Sequence, residues 1–329
     1  MRCTATARTT WRCSIDWPQP DLAAIELSRY ASGMHAVHTY QILNYYTSRQ
    51  DLDPGFDVLD NSTNERPDWY EYWPIRKFLL SQPLDENAFY GFLSPKFKLK
   101  TNLSAVDVVD FIRSSDAATD VVLFSPSIHN SAFYLNVFEH GNAEHPGLMQ
   151  VGQDFFARLQ SAQPLASLVS DSRNTVHSNY FIAKPRFWRA WLKITEQLFA
   201  IAETAQDPLG IQLRTATQYR GRRDVQMKIF LMERVATWIL VTDPSFVARA
   251  RDPFVSRSRI YKLPLAIICD ALKIAYSTQG RRQYLDVFLM LRRFAKFWTF
   301  QIRSSNALGI GGARPYLQTL RSYWDKRAG

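Results

Sequence analysis

The stretch "SAVDVVDFIRSSDAATDVVLF", residues 104–124, decides the fold. Ser104–Arg113 reads as a helix, and the run "DVVLF", Asp120–Phe124, reads as a buried strand. A helix that hands over to such a strand is part of an α/β unit, and the same alternation extends to both sides. Upstream, His35–Ile42 is a β-branched and aromatic strand, and Asp68–Leu80 ("DWYEYWPIRKFLL") reads as a helix with Asp68 as its N-cap. Pro74 inside that helix predicts a kink or a restart. Ala88–Leu93 is a short strand ending in the turn "SPKF". Downstream, helices are expected near Ser131–His140 and Pro146–Leu159, followed by a strand in "HSNYFIAKP" that Pro185 stops. The second half is mostly helical: Arg186–Thr204, Asp224–Val241, Pro264–Ser277 and Arg281–Arg303.

Composition fits this picture. The 329 residues are 46% hydrophobic and 14% aromatic, enough for a large core in one domain or two close halves. Three cysteines, Cys3, Cys13 and Cys269, match neither a zinc site nor a disulfide framework, so a reducing compartment is expected. No apolar run reaches the length of a membrane span. The net charge of +10 is uneven: residues 251–329 hold 15 Lys and Arg against 4 Asp and Glu, leaving 25 against 26 in residues 1–250. Residues 1–33 lack apolar periodicity and are expected to be disordered, or an extension upstream of a start at Met34. Residues 34–250 then form the α/β domain and 251–329 a basic helical region.

Common catalytic signatures are missing. There is no G-x-G-x-x-G, no phosphate-binding G-x-x-x-x-G-K-[ST] and no nucleophile elbow, and the histidines are not at metal-ligand spacing. "DLD", Asp51–Asp53, is an Asp-x-Asp pattern, but it precedes the first helix rather than ending a central strand. The segment from Asp60 is richer. Asp60 and Asn61 follow an apolar run, where the carboxyl end of a strand can line a crevice, and Trp69, Tyr70, Tyr72 and Trp73 stand beside Arg76 and Lys77. Aromatic faces suit sugar rings and nucleobases, and cations suit phosphates; a packing helix of the same composition is the alternative. Ser94 and Lys96 end the next strand, where Lys96 can meet a diphosphate or simply be solvated. Ser178 and Asn179 precede the strand that Tyr180 opens, in a binding role or holding a tight turn.

"MKIFLMERVATWIL", residues 227–240, is apolar except at its centre. On a helix Glu233, Arg234 and Thr237 share one arc, with Lys228 on the far side. A buried ion pair between helices explains this notch. So does a carboxylate aimed into a cleft as a general base or substrate anchor, with Arg234 or Arg223 near it.

The order of these pieces resembles bacterial glycosyltransferases of GT-A type from capsule and lipopolysaccharide clusters. The counterparts are Asp60-Asn61, "DWYEYWPIRKF", "YGFLSPKF", "DVVLFSP", "NYFIAKPRFWRAWLKITEQLF" and "FLMERVATWIL", spanning roughly Met34–Leu240. The resemblance implies a GT-A-like, Rossmann-type mixed sheet flanked by helices, with a helical C-terminal region. It also implies a nucleotide-sugar donor and a glycan or lipid-linked glycan acceptor. Glu233 matches the family's Glu-Arg-Leu glutamate and is the expected base. Asp60, Asn61, Trp73, Arg76, Lys96 and Arg223 are the expected donor side, and Asn179, Tyr180 and Arg234 the acceptor side. One departure concerns metal. Where many such enzymes carry Asp-x-Asp for manganese or magnesium, this chain has "SPSIHN", so Lys96, Arg76 or Arg223 would neutralise the leaving diphosphate, or the chain is a non-catalytic relative.

In Arg281–Arg303, Arg281, Arg282, Arg292, Arg293, Lys296 and Arg303 share one arc, as on a helix that lies on an anionic membrane. The expected location is cytoplasmic, peripheral on the inner face of the cell membrane. A packed helix with a solvated basic side, or a basic adaptor for membrane or nucleic acid, are the competing readings. Nucleic acid is not the expected partner, because no RNA-binding motif accompanies the charge.

Overall fold

The computed structural model describes residues 2–5, 11–14, 36–126, 131–219, 222–254 and 263–293. The chain divides into two units, Met1–Met34 and His35–Gly329. In the first unit β1 (Arg2–Ala5) and β2 (Trp11–Ser14) pair antiparallel, so a stretch expected to be irregular contains a hairpin.

The second unit is built on a sheet. Its strands are β3 (Val37–Asn44), β4 (Asp57–Asn61), β5 (Phe89–Leu93), β6 (Val121–Leu123) and β7 (Phe181–Ala183). A separate antiparallel hairpin, β8 (Ala216–Tyr219) and β9 (Arg222–Gln226), precedes the last strand, β10 (Ala248–Ala250). Six strands join in the order β10-β6-β7-β5-β3-β4, all parallel except β7, which runs against both neighbours. The reversal has a local cause. Residues 170–177 are tied along the carboxyl edge, where Ser125 Oγ donates to Thr175 O at 2.7 Å and His177 N–H donates to Ser125 Oγ at 3.0 Å. The chain therefore enters β7 from that edge, turned inward by the left-handed residues Ser178 and Asn179 (φ 59° and 54°).

The helices are α1 (Tyr72–Ser81), α2 (Phe97–Thr101), α3 (Ala105–Arg113), α4 (Val137–Glu144), α5 (Leu148–Arg158) and α6 (Pro185–Thr204). They continue with α7 (Pro208–Arg214), α8 (Met227–Met232), α9 (Val235–Thr242), α10 (Leu263–Gln279) and α11 (282–293). Strict side-chain alternation splits the core between the two sheet faces. Phe89, Leu93, Val122 and Ile182 meet Phe97 and the apolar stripe Ala105, Val108 and Ile112 of α3. Tyr90, Phe92, Val121, Leu123, Phe181 and Ala183 meet the larger helical layer containing α1, α4, α5, α6, α8 and α9. Burial on both faces explains why these strands read as continuous apolar runs. Gly91 pairs with Ile182 across β5 and β7, and a Cβ there would lie 2.4 Å from Ile182 Cγ1.

Three sequence expectations need correction. The segment from Asp68 does not start as an α-helix: Pro67–Trp69 is a 3-10 turn, Tyr70 is left-handed, and α1 opens at Tyr72. Pro74 falls in the first turn of α1, where its missing N–H breaks no helical bond, so the helix restarts rather than kinks. Asp68 is not a cap; it accepts Lys228 Nζ at 2.6 Å and pairs with Arg66 at 3.1 Å, neutralising a lysine only 1% accessible. Lastly, Asp224–Val241 is not one helix, because β9 takes its first residues and the helix breaks at Glu233-Arg234.

The C-terminal helices belong to the same unit as the sheet. Cys269, Leu285 and Phe288 pack with Val169, Lys273 Nζ donates to Tyr134 O at 3.1 Å, and Asp270 accepts Ser172 N–H at 2.8 Å. Among the described residues no helix is long and apolar enough to cross a membrane.

Candidate functional site at the carboxyl edge of the sheet

Parallel strands bring their carboxyl ends to one edge, and a reversed strand brings its amino end there. The row along that edge is Arg251 after β10, Ser125 after β6, Ser178-Asn179-Tyr180 before β7, Ser94 after β5, Asn44 ending β3 and Asn61 ending β4. Polar side chains link this row. Asn61 Nδ2 donates to Asn44 Oδ1 at 3.1 Å, Asn44 Nδ2 donates to Tyr46 Oη at 3.1 Å, and the Ser94 and Tyr180 hydroxyls lie 2.5 Å apart. Lys100 of α2 reaches over the edge, donating to Ser178 Oγ at 3.0 Å with its Nζ 5.3 Å from the centre of the Tyr180 ring.

Two carboxylates face this row. Glu233 closes α8, and Arg234 Nη1 lies 3.7 Å from its carboxylate. Although 39% of the Glu233 side chain remains accessible, crowding by protein raises its pKa, against the opposing pull of Arg234 and Lys100. Glu71, on the turn before α1, is pushed up to about 7 by burial, with Glu233 adding to the push and Lys100 and Lys96 opposing it. Burial raises the Tyr180 hydroxyl too, and the charges of Glu71 and Glu233 act on it in the same direction. These shared influences bring Glu71, Glu233, Lys100 and Tyr180 within electrostatic reach of one another. Two neighbouring carboxyls, both of raised proton affinity and beside a lysine, can take and hold a proton while keeping an anion in reach.

The expected residues fall in different places. Tyr180 and Asn179 lie at this edge, before β7; the buried Asn179 Oδ1 has no hydrogen-bond partner. Lys96 caps α2 and is exposed there, acting on Glu71. Asn61 is buried at the end of β4, and Asp60 beside it is exposed, its carboxylate folded onto Ser62 N–H at 2.8 Å and its pKa lowered by Ser62. Arg76 and Trp73 are committed elsewhere. Arg76 forms a two-toothed pair with Glu196 of α6 at 2.6 and 2.7 Å, and Trp73 Nε1 donates to Glu65 at 3.1 Å while its ring stacks on Phe199. Both tie α1 to α6, the packing alternative for the aromatic helix. Arg234 is a buried structural donor to Val137 O at 3.1 Å and to Phe230 O. The Arg223 side chain lies outside the described residues.

Sequence reasoning missed Glu71 and Lys100. Glu71 sits between two tyrosines in the quoted aromatic segment, and Lys100 is one helical turn beyond Lys96 in "KFKLK"; those spacings were the available signal. The Asp-x-Asp pattern is spent on turns: Asp51 accepts from Ser48 and Asp53 from Gly55. Among the described residues no group of three or more His, Cys, Asp or Glu could hold a metal ion. A cavity of about 920 Å³ lies elsewhere, between α6, α9 and the loop after α5, but Lys193 and Asp243 are its only acidic or basic residues, so it brings no carboxylate pair together. No protein-family model, curated protein or solved structure matches this chain.

Proposed function

We propose that the protein is a glycosyltransferase of GT-A-like architecture, moving a sugar from a nucleotide-sugar donor to a glycan or lipid-linked glycan acceptor in surface-polysaccharide assembly. One observation supports this reading most: two carboxyls of raised proton affinity, Glu233 and Glu71, lie within electrostatic reach of Lys100, which donates to Ser178 at the carboxyl edge of a mixed α/β sheet. In the reaction the acceptor hydroxyl oxygen attacks the anomeric carbon of the donor, and the bond from that carbon to the diphosphate breaks. The bonding electrons leave with the diphosphate, and the hydroxyl proton passes to Glu233. A raised pKa makes Glu233 a better proton acceptor than an ordinary carboxylate.

Lys96, Lys100 and Arg251 supply positive charge for the diphosphate. Lys100 and Arg251 share the wall of a small cleft of about 20 Å³ between α2 and the ends of β6 and β10. The segment after β6 begins Phe124-Ser125-Pro126 and carries no acid pair as far as Asn130, so these residues do not fit a divalent-cation site of the usual kind there.

A thermal-shift panel of nucleotide sugars, with and without manganese, identifies the donor through ligand stabilisation. With that donor, Glu233→Gln is expected to lower turnover by about 10²-fold or more while the melting temperature stays near wild type. A fully active Glu233→Gln protein would overturn the assignment.

A further inference from the structure

Helix α6 carries two faces. Phe187, Trp188, Trp191, Leu198 and Ala202 enter the core, whereas Ala190, Lys193, Ile194 and Gln197 recur at i, i+3, i+4 and i+7 and line the cavity of about 920 Å³. Across it stand Trp238 of α9, Tyr276 of α10 and the loop after α5 with Gln163. That volume is large for a ligand cleft, which usually measures roughly 300–1,000 Å³. Gln163, Lys193 and Gln197 are exposed, so the cavity opens to solvent through them.

Aromatic rings and unbonded polar groups make up much of the wall. Trp238 stacks by one face on Phe156, with centroids 4.4 Å apart and planes at 12°, which leaves the other side of its ring for the cavity that it lines. Its indole N–H is buried and unbonded, so the ring and not the N–H is what it offers. Among the described residues the Gln163 amide, Gln197 Oε1, Asn174 Nδ2 and the Tyr276 hydroxyl have no hydrogen-bond partner. Amides and hydroxyls supply both donors and acceptors. The charges, Lys193 and Asp243, cancel, although the chain as a whole carries +10. A ligand matched to this wall has no net charge, many hydroxyls and flat C–H faces.

We propose that the cavity binds an uncharged oligosaccharide, its sugar rings packed on Trp238 and Tyr276 and its hydroxyls paired with Gln163, Asn174 and Gln197. A phosphate-bearing ligand meets one lysine against one aspartate here, whereas Lys100 and Arg251 line a cleft together at the sheet edge. The choice of ligand rests on the cavity alone. Under the transferase reading the ligand is the part of the acceptor chain already built, because the cavity adjoins the segment that enters β7. Asn174 in its wall directly precedes Thr175, whose carbonyl accepts Ser125 Oγ at the sheet edge, and Thr237, next to Trp238, accepts Val176 N–H at 2.8 Å.

The test uses the full chain and saturation-transfer NMR on neutral trisaccharides of glucose, galactose, mannose and N-acetylglucosamine. At least one trisaccharide is expected to receive saturation at its ring C–H protons, in the wild type and equally in Glu233→Gln. Gln163→Ala and Gln197→Ala change exposed side chains and should leave the melting temperature near wild type. Each should weaken the binding about threefold to fivefold, as the loss of one neutral hydrogen bond does. Tyr276→Ala should weaken it about tenfold, the usual loss for an aromatic anchor. The proposal is overturned if no trisaccharide contacts the wild type, or if the glutamine variants bind like wild type. It is also overturned if those variants change the oligomeric state in gel filtration instead, which would make the cavity a contact between copies of the chain. Failure of the transferase reading shows up differently, as trisaccharide binding that the glutamine variants weaken while no nucleotide sugar is consumed.

Discussion

Glu71 shows most plainly how environment rather than identity decides chemistry. Its ordinary pKa of 4.5 is raised to about 7 in the folded chain, so between those values the folded state binds more protons than the unfolded state. Its contribution to stability is therefore full below pH 4.5 and is lost as pH rises through about 7. His140 and His177 act in the opposite sense. Burial holds them down to about 4 and about 3 from 6.5, so they destabilise the fold as pH falls below 6.5. Comparing variants separates the two effects. The melting temperature of Glu71→Gln minus that of wild type is expected to grow more positive from about pH 5 to about pH 8, because only the wild type must ionise a crowded carboxyl. A difference that stays flat across that range would show that Glu71 is not perturbed.

At the level of elements, the break between α8 and α9 positions Glu233. An unbroken apolar helix would have carried Glu233 and Arg234 round one continuous face. Instead Arg234 folds its guanidinium back onto Phe230 O and across to Val137 O at the start of α4. That side chain occupies the space next to Gly141, where a Cβ would lie 2.3 Å from Arg234 Nε and 2.4 Å from Leu148 Cδ2. Thr237 holds the next turn by accepting Val176 N–H at 2.8 Å, which couples α9 to the segment that leads into β7. Gly141→Ala is expected to destabilise the protein by about 1–3 kcal/mol, the usual result of overpacking, and to displace Arg234 from its carbonyls. Chemical denaturation measures the first effect. A variant as stable as wild type would mean that the guanidinium has room to move. Of the pair, Arg234 is buried and bonded to backbone carbonyls, whereas Glu233, 3.7 Å from it, keeps 39% of its side chain accessible.

On the scale of the whole molecule, charge is the feature that folding redistributes. Of the basic arc in the last helix, Arg292 is taken by Glu139 of α4 at 2.9 and 3.0 Å, and Arg282 is shared with Asp286 at 3.1 Å. Arg281, Arg282 and Arg293 are exposed, while Lys296 and Arg303 lie outside the described residues. We propose that this side meets an anionic membrane. Changing these three arginines to Glu should weaken binding to vesicles of anionic lipid by about 1 kcal/mol per charge, with neutral vesicles bound by neither protein. Equal binding of both proteins to anionic vesicles in a flotation assay would remove the surface from consideration. The α/β class, the apolar strands and most helix positions were legible in the sequence because they depend on local periodicity: "DVVLF" has to be buried wherever it lies, and Ser104 caps α3 through its own neighbours. The reversed β7, the diversion of Arg76 and Trp73 to α6, the broken helix and the meeting of Glu71 with Glu233 were not legible. Each depends on contacts remote in the chain: Ser125 with Thr175 50 positions on, Arg234 with Val137 97 positions back, Arg76 with Glu196 120 positions on. Spacing along a chain determines what a segment can become; which carboxyls and lysines come within reach of one another is decided only when the sheet brings its strand ends to one edge.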